Sequence, residues 1–412
     1  TGAVLDTGAT PSPDAVWLVG GPQAFAGEAV SVLDVDGDGV AELAVAGYDA
    51  VWVASAPWAD SPIADAADWT APGTFIATLL PDLTGDAVPD LAVGGQCQLE
   101  VHRGPFVAGA VPDPYASFQF DVGGSAAVCP DLDGDGDGEL CLGSDPTCSF
   151  VTDLPAVAVY TLPLPPAGLW RTDAALTIEA DGSEVEPGAV DLDGDGVDEI
   201  TIAAPDADGR DGRVWLVRDP PLGAFDLADA AAMWSADGAG GAGEETARGD
   251  LDGDGRDDLA IAAPRFHDGS GYYVPATGRV WVATDDAGGP LGGVATTVGA
   301  PDPVAQFGAG LAVADLDGDG VPDLAASAIV QDPPGPGRVA VFFGPLASGA
   351  VAWTDADRVV VGWGPEDFHG LDLAVGDLDG DGLSDLVASG TGDWNGTPRA
   401  GAVHLVFDLG AR

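Results

Sequence analysis

The sequence predicts an all-β fold in which seven tandem four-stranded units close into a ring, and three observations carry that prediction. An acidic nonapeptide recurs seven times, from Asp34 to Glu42, Asp82 to Asp90, Asp131 to Glu139, Asp191 to Glu199, Asp250 to Asp258, Asp315 to Asp323 and Asp377 to Asp385. The copies start 48, 49, 60, 59, 65 and 62 residues apart, so each occupies one supersecondary unit rather than abutting the next. Short apolar runs flank every copy and read as strands meeting at a hairpin tip, as Leu311-Ala-Val-Ala-Asp does before the sixth.

Each nonapeptide places carboxylates at positions 1, 3, 5 and 9, glycine at 4 and 6, and an aliphatic residue at 2. The carboxylates are Asp34, Asp36, Asp38 and Glu42 in the first copy; Asp131, Asp133, Asp135 and Glu139 in the third; and Asp191, Asp193, Asp195 and Glu199 in the fourth. The fifth has Asp250, Asp252, Asp254 and Asp258, the sixth Asp315, Asp317, Asp319 and Asp323, and the seventh Asp377, Asp379, Asp381 and Asp385. Alternate residues of a tight loop can aim oxygens at one point, which suits Ca²⁺, a hard cation wanting six to eight oxygens, and position 7 would add a backbone carbonyl. That position holds Val40, Val88, Asp137, Val197, Arg256, Val321 and Leu383. An EF-hand is excluded, because position 12 is Val45 in the first copy and Ala388 in the last, where a bidentate Glu would stand. Solvated Asp-Gly linkers would not hold this register through seven copies.

The second copy departs from the pattern. Asp82, Asp86 and Asp90 remain, with Val88 at position 7, but Thr84 replaces the carboxylate at 3 and Ala87 the glycine at 6. Up to seven Ca²⁺ are expected, with the Asp82 to Asp90 site the weakest.

Composition bounds the remaining possibilities. The chain has 412 residues, 62 Gly and 33 Pro, matching many short strands joined by turns. Thirteen basic residues face 68 acidic ones for a formal charge of −55, which excludes nucleic acid and anionic membrane surfaces as partners. No apolar run reaches the roughly 18 residues of a membrane helix, so no membrane insertion is expected. Thr1 is not an initiator Met, and the reading is of an exported chain, extracellular or at the cell surface, whose N-terminal segment has been removed.

Taken in order, residues 1–13 lack periodicity and read as a flexible lead-in, and residues 14–412 form the repeat domain. Each unit reads as strand A into the acidic loop, strand B out of it (Glu199-Ile-Thr-Ile-Ala-Ala), strand C (Gly212-Arg-Val-Trp-Leu-Val) and strand D before the next A. The chain opens on a D strand after Ala15 and ends on a C strand, Gly401-Ala-Val-His-Leu-Val-Phe, so its first strand completes the last sheet and no edge stays open.

The acidic loops, Phe307-Gly308 ahead of the sixth, the Ala-Ala-Pro runs ending at Pro205 and Pro264, and Gly278-Arg-Val-Trp-Val together resemble the FG-GAP repeats of integrin α-subunit propellers and their bacterial relatives. The Phe-Gly pair is degenerate, as Phe25-Ala26-Gly27 and Phe368-His369-Gly370, and absent before the third, fourth and fifth loops. The resemblance implies a seven-bladed β-propeller with calcium on one face and partner binding on the other. A calcium-binding propeller for adhesion or for binding a protein or glycan ligand is the function expected. The alternatives are a propeller-based hydrolase or lyase, which would need a cluster of perturbed titratable groups on the non-calcium face or in the central channel, and an inert display or spacer module.

The four histidines, His102, His267, His369 and His404, lack metal-ligand spacing and are read as structural. Gly238, Gly240 and Gly243 match a dinucleotide fingerprint only literally, with Glu244 and Glu245 following where they would repel a phosphate. The long B-to-C connection of the fifth unit, Pro264 to Gly278, stands out from the acidic background, and Arg265, Phe266, Tyr272 and Tyr273 are the candidate ligand contacts. Four cysteines allow three disulfide connectivities. Strand direction favours Cys129 with Cys141 beside the third loop, and Cys97 with Cys148 on the opposite face.

Overall fold

A computed structural model describes residues 3–5, 15–21, 24–48, 50–71, 76–95, 98–106, 114–119, 125–135, 137–143, 156–166, 168–179, 185–207, 211–236, 240–266, 277–294, 296–299, 306–329, 335–364, 367–392 and 399–410. They form seven sheets, the blades of a β-propeller. Blade 4 shows the plan: strand A Glu186–Val190, B Glu199–Ala204, C Arg213–Val217 and D Ala232–Ser235, each antiparallel to the one before. The A strands of the seven blades are Ala29–Leu33, Ile76–Leu80, Ser125–Cys129, Glu186–Val190, Glu245–Gly249, Phe307–Ala314 and Leu373–Gly376. Neighbouring A strands lie against one another around the ring, and that of blade 7 rests on that of blade 1.

Closure follows the sequence reading. Ala15–Val19 pairs with Ala402–Val406 in blade 7, Leu18 opposite Val403, so the start and end of the chain share one sheet. The B strands are buried along their whole length, which is why they are apolar throughout instead of alternating. Each is covered on both faces by neighbouring blades. The A strands line the channel and are only half-buried.

The expected four strands per blade need one correction. Among the described residues six sheets carry a short fifth strand, running parallel to strand D on its outer edge, and in five of them it is supplied by the C-to-D crossover of the following blade. Gly168–Leu169 of blade 3 pairs with Ala116–Gln119 of blade 2, Gly223–Asp226 of blade 4 with Leu176–Glu179 of blade 3, and Gly349–Ala352 of blade 6 with Thr296–Gly299 of blade 5. An outer D strand would otherwise leave a row of unpaired N–H and C=O groups, and the crossover satisfies them. Within the lead-in, Ala3–Leu5 does the same for blade 6, alongside Arg358–Val361, because it precedes the D strand of blade 7 just as each crossover precedes its own D strand.

Apolar clusters fill the spaces between blades. Between blades 4 and 5, Leu192, Val214, Leu216 and Trp234 meet Leu259, Ile261 and Trp281. Both aliphatic anchors of the acidic loops reach such clusters. Leu83, Leu192, Leu251, Leu316 and Leu378 at position 2 are buried, as are Leu43, Leu91, Leu140, Ile200, Leu259, Leu324 and Leu386 after position 9.

Candidate metal centres

The repeat spacing is explained by hydrogen bonds within each loop. The position-1 carboxylate accepts from the N–H groups of positions 4 and 6: Asp34 from Gly37 (2.7 Å) and Gly39 (2.9 Å), Asp315 from Gly318 (2.7 Å) and Gly320 (2.9 Å). Position 3 accepts from position 5, as Asp193 does from Asp195, and position 5 from position 7. The position-9 carboxylate reaches back to the N–H of position 2, at 2.8 Å from Val35 to Glu42 and from Leu316 to Asp323. Glycines 4 and 6 both sit at positive φ, 78° at Gly318 and 90° at Gly320.

Position 4 has a second reason to be glycine that the sequence did not show. A Cβ on Gly318 would lie 2.9 Å from the Leu383 side chain of the next loop, and one on Gly380 would lie 2.9 Å from Val40. At these two glycines, and at Gly194 beneath Arg256, the position-7 side chain seats on the glycine of the preceding loop, whereas Gly85 and Gly253 meet Pro163 and Pro345 of the crossovers. The loops also join through backbone, Ala41 N–H donating to Asp377 O at 2.7 Å and Asp257 N–H to Asp191 O at 3.2 Å. The C-to-D crossovers add Leu164 N–H to Leu83 O and Leu346 N–H to Leu251 O. These contacts tie loop 7 to loop 1, loop 4 to loop 5 and loop 6 to loop 7 along one rim.

The donor set fits a hard divalent cation. Asp34, Asp36 and Glu42 bring three carboxylate oxygens within 4.8 Å of one another, as do Asp131, Asp133 and Glu139; Asp191, Asp193 and Asp195; Asp250, Asp252 and Asp254; and Asp315, Asp317 and Asp323. The position-9 carboxyl is buried in every loop. Burial first, and then the charges of neighbouring carboxylates, push Asp258 and Asp385 up to about 7 and Asp323 up to about 6. A bound cation would relieve that crowding.

The second loop fits less well. Thr84 is buried where a carboxylate stands elsewhere, and Ala87 is forced to φ 68°, the left-handed region that its Cβ disfavours by roughly 1–2 kcal/mol. Asp90 is fully buried and pushed up to about 6, chiefly by desolvation. Arginines reach three loops: Arg103 lies 3.5 Å from Asp86, Arg218 pairs with Asp193 and Glu199, and Arg256 pairs with Asp254.

On the opposite face the first residues of the A strands ring a central cavity of about 730 Å³. Glu28, Glu186, Glu244, Glu245 and Asp372 line it, together with Arg265, which pairs with Glu244 at 2.7 Å. Burial, then the neighbouring carboxylates Glu186, Asp372 and Glu244, raise Glu245 well above the usual range, and burial lifts Asp372 to about 6. The sequence reading did not find this cluster. Its signal was a recurring acid at the start of strand A, visible only once the repeats are placed in register.

Of the candidate ligand contacts, Arg265 is exposed at the cavity rim, but Phe266 is turned inward, edge-on to Trp281 at 5.4 Å beneath the Arg279 guanidinium. Its ring completes the core between blades 4 and 5, which removes it from the ligand surface. Tyr272, Tyr273 and His267 lie outside the described residues. His102, His369 and His404 are all buried. The Phe-Gly resemblance also shifts register in two blades. Phe307 is fully buried, whereas Phe368 is 39% exposed and His369 takes the equivalent core place, as Ala26 does in blade 1. Cys129 and Cys141 form a disulfide, as expected, across a diagonal of the sheet, since Cys129 lies opposite Glu139. Cys97 and Cys148 lie outside the described residues.

Residues 186–217, 242–282 and 307–342, the A-to-C regions of blades 4, 5 and 6, match the FG-GAP repeat. Integrin alpha-4 of Xenopus laevis is 33% identical over 148 residues, 35% of this chain, and the match spans 14% of that protein's own length. In fold, the chain is similar to BBS1N as crystallised with ARL6DN and soaked with lead, with a TM-score of 0.53 and 13% identity over 96% of this chain and 95% of that one. The chain carries FG-GAP repeats in blades 4 to 6, and its seven-bladed β-propeller is similar to that of the integrin α-subunits.

Proposed function

We propose that this protein is an extracellular calcium-binding propeller that presents the face opposite its acidic loops to a protein or glycan ligand, with calcium in a structural role. The observation that carries the reading is the convergence of three carboxylates within 4.8 Å in the first, third, fourth, fifth and sixth loops, with a buried position-9 carboxyl in every loop. Two unit charges about 4 Å apart repel by roughly 4 kcal/mol at an effective dielectric near 20, so a cation bound only by the folded state stabilises it. The integrin-like resemblance and the Cys129–Cys141 disulfide support an oxidising, extracellular setting. Exhaustive chelation is expected to lower the melting temperature, and restored calcium to recover it. A melting temperature indifferent to chelation refutes the structural role. The ligand class is tested on protein and glycan arrays with and without calcium. Silence of every feature in both conditions favours the inert spacer.

A second reading, hydrolase or lyase chemistry in the central cavity, draws on one observation. Burial and the neighbouring carboxylates raise Glu245 well above the usual carboxyl range, the kind of separation that sets an acid apart from a base. Turnover of an oligosaccharide that is lost in Glu245→Gln supports it, and absence of turnover by the parent across such substrates discards it.

A further inference from the structure

The fourth loop carries its own cation. Arg218 follows strand C of blade 4, one residue beyond Val217, which pairs with Ile200, so its side chain emerges beside Glu199 at loop position 9. Its Nη2 lies 2.9 Å from Asp193 Oδ2, at position 3, and its Nε donates to Glu199 Oε1 at 3.0 Å. Glu199 Oε2 meanwhile accepts from Leu192 N–H at 3.1 Å. Both oxygens of the position-9 carboxylate are therefore engaged, one of them by a positive charge. The third partner of Arg218 is Asp286, 3.2 Å away on the C-to-D crossover of blade 5 and outside any loop. That gives the guanidinium a place to go.

The same strand position is filled differently elsewhere. It is Ser55, Thr161, Thr284, Phe343 and Phe407 in blades 1, 3, 5, 6 and 7, and arginine again, Arg103, in blade 2 alone. Arg103 sits opposite Asp90 and points to Asp86, in the loop already short of one carboxylate. Arginine at this position thus accompanies the one loop whose ligand set is depleted, and it recurs where the set is complete.

We propose that Arg218 is an intramolecular counter-ion of the fourth loop, competing with a divalent cation for Asp193 and Glu199 and moving to Asp286 when the cation binds. The proposal rests on the reading of the loops as calcium sites. It makes the fourth site weaker than the first, sixth and seventh, whose loops no arginine reaches among the described residues, even though its carboxylates are complete, and it sets two classes of site on one rim.

Calcium titration calorimetry on the parent, Arg218→Ala, Arg218→Gln and Arg248→Ala tests it. Arg248 pairs with Asp198 and Asp257, which lie at position 8 of the fourth and fifth loops and are not ligand positions, so its loss changes net charge equally without touching the site. Both Arg218 variants are expected to convert one weak equivalent into a site at least tenfold tighter, and Arg248→Ala to shift affinities less than threefold. Adding Asp195→Asn to Arg218→Ala must abolish the tightened equivalent. Equal effects of Arg218→Ala and Arg248→Ala, or weaker binding in both Arg218 variants, overturn the proposal and leave the calcium reading standing. Absence of calcium binding in every protein overturns both.

Discussion

Acidification tests the closure of the ring at a place where two imidazoles meet in its core. His404, on strand C of blade 7, and His369, at the entry to that blade, are both fully buried, with His404 Nδ1 3.3 Å from His369 Nε2. The carboxylate of Asp367, two residues before His369, is occupied by the N–H groups of Gly337, Gly364 and His369. Burial holds His369 down to about 3 and His404 well below its ordinary value. A base whose folded pKa is depressed contributes stability that is whole above its unfolded value, about 6.5, and is lost as pH falls from there toward the folded value. At pH 4.5, two units below 6.5, the loss from His369 is about 2.7 kcal/mol, and His404 adds to it in the same direction. The raised carboxyls of Asp258, Asp323 and Asp385 act oppositely in the cation-free protein, because their neutral forms suit the fold and strengthen it as pH falls. The assay is therefore a difference between two proteins. In blade 6 the equivalent pair is Phe307 and Ala340, so His369→Phe with His404→Ala copies a packing the fold already contains. Urea unfolding of both proteins from pH 7.5 to 4.5, in chelator, should show the parent losing about 1.4 kcal/mol more per pH unit per histidine below 6.5. Parallel stability curves over that window refute the reasoning.

Three other outcomes follow from particular residues. Relaxing the left-handed Ala87 with Ala87→Gly should stabilise the protein by about 1 kcal/mol, and adding Thr84→Asp should bring one further calcium equivalent in calorimetry; seven equal equivalents in the parent would contradict the weak second loop. Replacing Cys129 and Cys141 by Ser opens a loop with a sequence separation of 12 and should cost about 3 kcal/mol in unfolding free energy, while non-reducing peptide maps of the parent show these two joined. Substituting Arg265, Tyr272 and Tyr273 together by Ala should abolish partner binding with melting temperature and calcium stoichiometry unchanged, and a partner whose affinity survives places the contact elsewhere.

The repeat plan, the direction of each strand and the closure by Ala15–Val19 were legible because they depend on local pattern: carboxylates and glycines in fixed register, and apolar runs on either side. The fifth strands were not. Gly168–Leu169 and Gly289–Pro290 are two residues each, with no alternation to read, and they are strands only because a D edge lies beside them. The orientation of Phe266 was hidden for the same reason, since an aromatic at the start of a loop looks alike in sequence whether it faces solvent or a neighbouring Trp281.

The two faces of the ring show how far local pattern reaches. On the acidic rim every loop is assembled from nine consecutive residues, so its carboxylates could be named before any fold was known, and the intrusions from other strands, Arg218 and Arg103, escaped notice. On the opposite face the carboxylates arrive one blade at a time, Glu28 from blade 1, Glu186 from blade 4, Glu245 from blade 5 and Asp372 from blade 7. Hundreds of residues separate the first from the last, and nothing local marks them as neighbours. Ring closure alone brings Asp372 within reach of blade 1, where it accepts the Val30 N–H at 2.8 Å. Asp372→Asn should therefore keep that hydrogen bond through its side-chain oxygen while removing one charge from beside Glu245. Titration of Glu245 followed by carboxyl-labelled NMR should then move to lower pH. An unmoved Glu245 would show that burial alone, and not the converging carboxylates, raises it.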